Sequence, residues 1–106
     1  MDAFEPLARL EQLPEGALLG VTTREGVKLC LANDGGEIRA VQALCPHQEF
    51  PLADGTILPG HRLECAWHGA QYDLRTGAPV HPPATETLER WAVEVRDGMI
   101  LVGPRA

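Results

Sequence analysis

Apolar and polar residues alternate along this chain in short runs, and each run soon meets turn chemistry. Ala17–Thr22 and Val27–Ala32 flank Arg24-Glu25-Gly26, which reads as a hairpin turn. Asn33-Asp34-Gly35-Gly36 predicts a second turn before an extended run over Glu37–Leu44. Within that run Ile38 and Val41 fit strict alternation poorly, which predicts a strand with an irregularity. Trp91–Arg96, the Asp97-Gly98 pair and Met99–Val102 predict a C-terminal hairpin. Leu10-Glu11-Gln12-Leu13 before Pro14 allows one helical turn and no more. Strands this short and this closely spaced indicate an all-β domain, an antiparallel sandwich or barrel-like base. No repeat, low-complexity tract or linker interrupts the 106 residues, and that length suits one domain spanning 1–106.

Residues 45 to 83 break the rhythm. They hold six of the nine prolines, all four histidines and two of the three cysteines. Loops that gather such residues on a β scaffold are where function is usually carried. The charge balance narrows the partners. Nine basic against fifteen acidic residues leave a net charge of −6, and Lys28 is the one lysine. Nucleic acid and anionic membrane surfaces both call for clustered positive charge, so neither is expected as a partner. The N-terminus lacks the basic and apolar regions of a signal peptide, and no run approaches the roughly 18 apolar residues of a membrane span. A cytoplasmic location follows as an expectation. In that reducing compartment an odd number of cysteines points to metal ligation or spare thiols.

Cys45-Pro46-His47 and Cys65-Ala66-Trp67-His68 form a C-x-H…C-x2-H pattern. Each pair sets a thiolate and an imidazole on one tight loop, so two loops can clamp one inorganic centre from both sides. A Cys2His2 set admits a tetrahedral structural zinc. It equally admits a [2Fe–2S] cluster in which two Cys hold one iron and two His the other. Zinc knuckles normally pair Cys with Cys and His with His, whereas both pairs here are mixed.

On these residues the chain resembles a Rieske protein, specifically a small Rieske-type ferredoxin. The resemblance extends through Asp73-Leu74-Arg75-Thr76-Gly77, the Pro82-Pro83 loop and the closing hairpin, essentially the whole length. It implies an all-β Rieske fold, with an antiparallel sandwich base and a small cluster-binding subdomain at about residues 43 to 83. It also implies one [2Fe–2S] cluster, with Cys45 and Cys65 on the inner iron and His47 and His68 on the outer one. Replacing two thiolates by neutral imidazoles makes the outer iron the one that is reduced and raises the potential. Tyr72, Trp67, Pro82 and Pro83 would form the cluster's surroundings.

Branches of the family differ around the ligands. The high-potential branch has a second cysteine in each loop, joined as a disulfide; the matching positions here are Phe50 and Trp67. The Ser of that branch, two residues after the second His, is here Ala70. The chain therefore resembles the low-potential ferredoxins of bacterial aromatic oxygenases, except that Tyr72 stands where such ferredoxins often have Phe. Cys45-Pro46-His47-Gln48-Glu49 looks like the toluene-type diiron monooxygenase systems. Cys65-Ala66-Trp67-His68-Gly69 looks like the ring-hydroxylating dioxygenase systems. The implied role is a monomeric one-electron carrier, not an enzyme, between a flavin-dependent NAD(P)H reductase and a terminal oxygenase. A small Rieske-like subunit of a reductase such as nitrite reductase is the alternative, with a zinc-stabilised interaction module behind it.

Other residues read more plainly. Cys30 faces oppositely to Leu29 and Leu31 and is expected to be a packed or half-exposed spare thiol. His61 belongs to a surface turn, Leu58-Pro59-Gly60-His61. His81 adjoins the Pro82-Pro83 loop, and Trp91 is expected in the core. Glu49, Asp54, Glu64 and Asp73 surround the ligand loops, as solvated surface or as a docking patch.

Overall fold

The computed structural model describes residues 3–46, 49–66 and 69–106, and the regular elements among them are strands and two short 3-10 turns. Strands β1 (Glu5–Arg9), β2 (Leu18–Thr22), β3 (Lys28–Asp34), β4 (Glu37–Gln42), β9 (Arg90–Arg96) and β10 (Met99–Arg105) form one antiparallel sheet in the order β1-β10-β9-β4-β3-β2. Strands β5 (Thr56–Leu58), β6 (Arg62–Glu64), β7 (Gln71–Asp73) and β8 (Pro79–His81) form a second, smaller sheet in sequence order. No helix among the described residues is long and apolar enough to cross a membrane.

The expected hairpins form, and their turns have the chemistry that closes them. Gly35 and Gly36 both take left-handed φ values, 64° and 104°, and form the two-residue loop between β3 and β4. Strand β3 thus continues through Asn33 and Asp34, two residues further than their turn-forming chemistry suggests. Asp97-Gly98 repeats the pattern between β9 and β10, with φ 51° and 77°. The predicted helical turn is a short 3-10 turn at Leu10–Gln12.

The irregularity expected in β4 is absent. Its register against β3 runs unbroken from Leu29↔Gln42 to Asp34↔Glu37. Alternation fails because both faces of these strands are covered. Leu29, Leu31 and Ala40, with Ile38 against them, join one apolar core that includes Leu13, Ile100 and Val102. Cys30, Ala32 and Val41 face the opposite way into a second core, shared with Leu52, Leu63, Tyr72, Leu74 and Leu88. A strand buried on both sides reads as a continuous apolar run. The second core also contains Cys45 and Cys65, so the apolar contact that joins the two sheets is where both ligand-type thiols sit.

Candidate metal centre

Both cysteines open loops of the same design. The Cys45 N–H donates to the Phe50 carbonyl at 2.8 Å, and the Cys65 N–H donates to the Ala70 carbonyl at 2.7 Å. Each bond joins a residue to the fifth one beyond it. In each loop the fourth residue beyond the cysteine is left-handed, Glu49 at φ 52° and Gly69 at φ 70°. The first loop is tightened further by the Glu49 N–H on the Cys45 carbonyl at 2.7 Å and by a bridge between Leu44 and Pro51. The loops therefore close alike although their Cys-to-His spacing differs by one residue.

The two thiols are fully buried, 0% and 1% exposed, and neither is in a disulfide. Phe50 packs half-buried against the same core and Ala70 lies within it. The Tyr72 hydroxyl lies 3.2 Å from Cys45 Sγ. Burial, then the hydrogen bond and charge of Cys45, hold the phenol's pKa well above its ordinary value. It therefore keeps its proton and is the donor to sulfur. Tyr72 thus lies directly against one of the two candidate ligand thiols. Pro82 and Pro83, joined by a cis peptide bond, follow β8, and Ala84 just beyond them packs on the shared core. His47, Trp67 and His68 lie outside the described residues.

Gly55 was not apparent as a functional position in the sequence. It follows the 3-10 turn Leu52–Asp54 that leaves the first loop, and a Cβ there would overlap the carbonyl oxygen of Glu64, the residue before Cys65. The exit of one loop is thereby pressed against the entry to the other. Its backbone is extended (φ −88°), so only the close approach, and no turn signal, explains it.

The remaining residues sort themselves by contact. Cys30 is completely buried, and burial pushes its thiol up to about 12. His61 does lie in a turn, but its ring is paired with Asp34. His81 Nδ1 lies 2.7 Å from the Pro82 carbonyl oxygen. Trp91 is half-buried against the first core, with the Arg105 guanidinium 5.8 Å over its ring. Among the acidic residues, Asp73 is matched by Arg75 at 3.0 Å, which holds its carboxyl below the usual range. Glu64 is half-buried and accepts from Gln71 at 3.4 Å, while Glu49 and Asp54 are exposed.

Two buried, unbridged thiols on matched loops, with a phenol donating to one of them, suit a thiolate-held metal cluster in an apolar pocket. Comparison with known proteins decides which. Residues 3–92 match the Rieske [2Fe–2S] domain. The chain belongs to that family. The ferredoxin component of the p-cumate 2,3-dioxygenase system of Pseudomonas putida is 33% identical over 96 residues, 91% of this chain and 81% of that protein. The Sphingomonas yanoikuyae B1 ferredoxin superposes with a TM-score of 0.87 at 26% identity, covering 95% of this chain and 98% of its own. A complex of reduced oxygenase and oxidized ferredoxin in carbazole 1,9a-dioxygenase gives a TM-score of 0.85 at 27% identity, covering 94% and 92%. The Rieske protein described here thus carries a Rieske-type [2Fe–2S] cluster and serves electron transfer rather than catalysis. That removes the zinc reading of its Cys2His2 pattern.

Proposed function

We propose that this chain is the ferredoxin component of a bacterial ring-hydroxylating dioxygenase system. It takes single electrons from a flavin-dependent NAD(P)H reductase and passes them to the terminal oxygenase, as a cytoplasmic monomer. The matched loops around two buried thiols carry the reading. The dioxygenase is preferred to a diiron monooxygenase because the p-cumate ferredoxin component and the ferredoxin of the carbazole complex belong to dioxygenase systems. In this reading residues 43 to 83 form the cluster-binding subdomain. Cys45 and Cys65 hold one iron, and His47 and His68 hold the other. Trp67, Pro82 and Pro83 lie around them.

The bound cluster supplies a one-electron couple, with reduction at the iron held by neutral imidazoles. The protein's own groups set the conditions for it. Leu52, Leu63, Leu74 and Tyr72 keep water from the thiols, because each is fully buried in the core that holds Cys45 and Cys65. The Tyr72 hydroxyl keeps its proton directed at Cys45 Sγ, which favours added negative charge there. The exposed carboxylates of Glu49 and Asp54 lie on and just beyond the first loop. With the net charge of −6, they favour fast, salt-sensitive encounter with a basic site on either partner.

The test is direct. The purified protein should be brown, with about two iron and two acid-labile sulfides per chain and the low average g value of mixed Cys/His ligation when reduced. In stopped-flow with a dioxygenase reductase, its reduction should slow as salt rises. Stoichiometric zinc without sulfide, or no reduction by any such reductase, would overturn the proposal.

A further inference from the structure

The ordered contact between the two sheets is not only apolar. Asp34 ends β3 and is 5% exposed, so its carboxylate needs polar partners. One is His61, whose ring Nδ1 lies 2.8 Å from Asp34 Oδ2. A buried carboxylate is an acceptor only, so Nδ1 carries the proton and donates. The other is Arg39 Nε, 3.4 Å from the same oxygen. Arg39 belongs to β4, the same hairpin as Asp34, and its bond stays within the base. His61 belongs to the β5–β6 turn, and its bond crosses from the small sheet to the large one.

His61 is held from both sides. It is left-handed at φ 65°, just after Gly60 at 86°, and its carbonyl accepts the Leu74 N–H at 2.8 Å. Strand β6 starts at the next residue and runs directly into Cys65. An open cleft lined by Glu15, Asp34, Ile57, Pro59 and His61 separates the turn from the base on this side. The His61–Asp34 bond therefore spans a gap that side-chain packing leaves unfilled. Apolar burial is non-directional, whereas a charge-assisted hydrogen bond fixes distance and angle.

From this geometry we infer that His61 is a positioning residue: through Asp34 it sets the small sheet, and with it the Cys65 loop, against the base. The inference rests on the cluster-carrier reading only for its consequence at the metal. Its structural part is read independently, from amide exchange.

Arg39 remains on Asp34 when His61 is changed, so His61 variants do not leave the buried carboxylate alone. In holoprotein His61→Phe, amides of β5, β6 and β7 should exchange about tenfold faster, the change one hydrogen bond makes to a local opening equilibrium. Those of β2 and β3 should keep their rates, and cluster bleaching at fixed temperature should accelerate alongside, with a shifted or broadened reduced-state EPR signal. Combining His61→Phe with Asp34→Ala, which removes the acceptor, should add little to the small-sheet effect of the more severe single change, because both remove one bond. Unchanged exchange in β5–β7, equal acceleration in both sheets, or strict additivity would overturn the inference. A colourless wild-type protein with the predicted exchange pattern would instead count against the carrier reading alone.

Discussion

The two cysteine loops invite comparison because they solve one geometric problem with different residues. Both close by a hydrogen bond from the cysteine N–H to the fifth residue beyond it, and both turn through a left-handed residue just before closure. In the second loop that residue is Gly69, for which the conformation is free of steric cost. It is half-buried and bordered by Glu64, with Ala70 fully buried beside it. In the first loop it is Glu49, exposed to solvent and held in a conformation that costs a non-glycine residue about 1–2 kcal/mol. Closure geometry is thus the fixed quantity, and residue type varies within it. The half-buried turn takes glycine at no steric cost, while the exposed turn carries the strain on a residue that adds a carboxylate to the surface.

The comparison breaks most severely at the thiols. Cys45→Ser or Cys65→Ser should each yield protein without the visible absorbance of the cluster, showing that the loops act as one site. A cluster retained in either variant would separate them. Next comes the seam between the loops. Gly55→Ala drives a methyl group into the Glu64 backbone, and backbone cannot rotate aside. A loss of about 3 kcal/mol is expected, seen as a fall in Tm of more than about 10 °C. A smaller pair of changes, of opposite sign, tests the left-handed residues themselves. Gly69→Ala should cost about 1–2 kcal/mol, and Glu49→Gly should stabilise by up to about 1 kcal/mol. Denaturant midpoints for both variants, against wild type, read the difference.

The smallest effect sharpens the electronic asymmetry between the loops, since Tyr72 reaches Cys45. Its bond favours the more negative reduced state, so Tyr72→Phe should lower the midpoint potential. One hydrogen bond of about 1 kcal/mol corresponds to about 40 mV for a one-electron couple. Protein-film voltammetry resolves a shift of that size. An unchanged midpoint would reduce the ring to a packing element.

How far all this was legible in the sequence varied with length and covering. Glycine and aspartate at the turns made β2, β3, β4, β9 and β10 readable, because hairpin loops demand left-handed residues that few types supply. Strand β1 was not readable. It is an edge strand whose Pro6, near a break in its register with β10, lacks a donor and so suggests no strand. The small sheet escaped as well, since its strands have three residues each, too few positions to establish a period. The irregularity expected in β4 came from assuming one covered face where there are two. Of the candidate site, Cys45, Cys65 and Tyr72 were singled out through spacing and resemblance, and the fold brings them together. The His61–Asp34 bond and the Gly55 approach were not, because both depend on how one sheet meets the other.

The sealed thiol of Cys30 has a consequence for biogenesis. On the ligand assignment proposed above, an iron–sulfur donor must find two sulfurs out of three. Iron and oxidants engage thiolates, and a thiol with a pKa of about 12 offers essentially none at cellular pH. That discrimination is absent from the unfolded chain and is created when the face of β3 that carries Cys30 is covered by the core it shares with Leu52, Leu63 and Tyr72. Before the two sheets pack, the donor meets three equivalent cysteines; once they have packed, the decoy is sealed at mid-strand while the proposed ligand pair opens two loops.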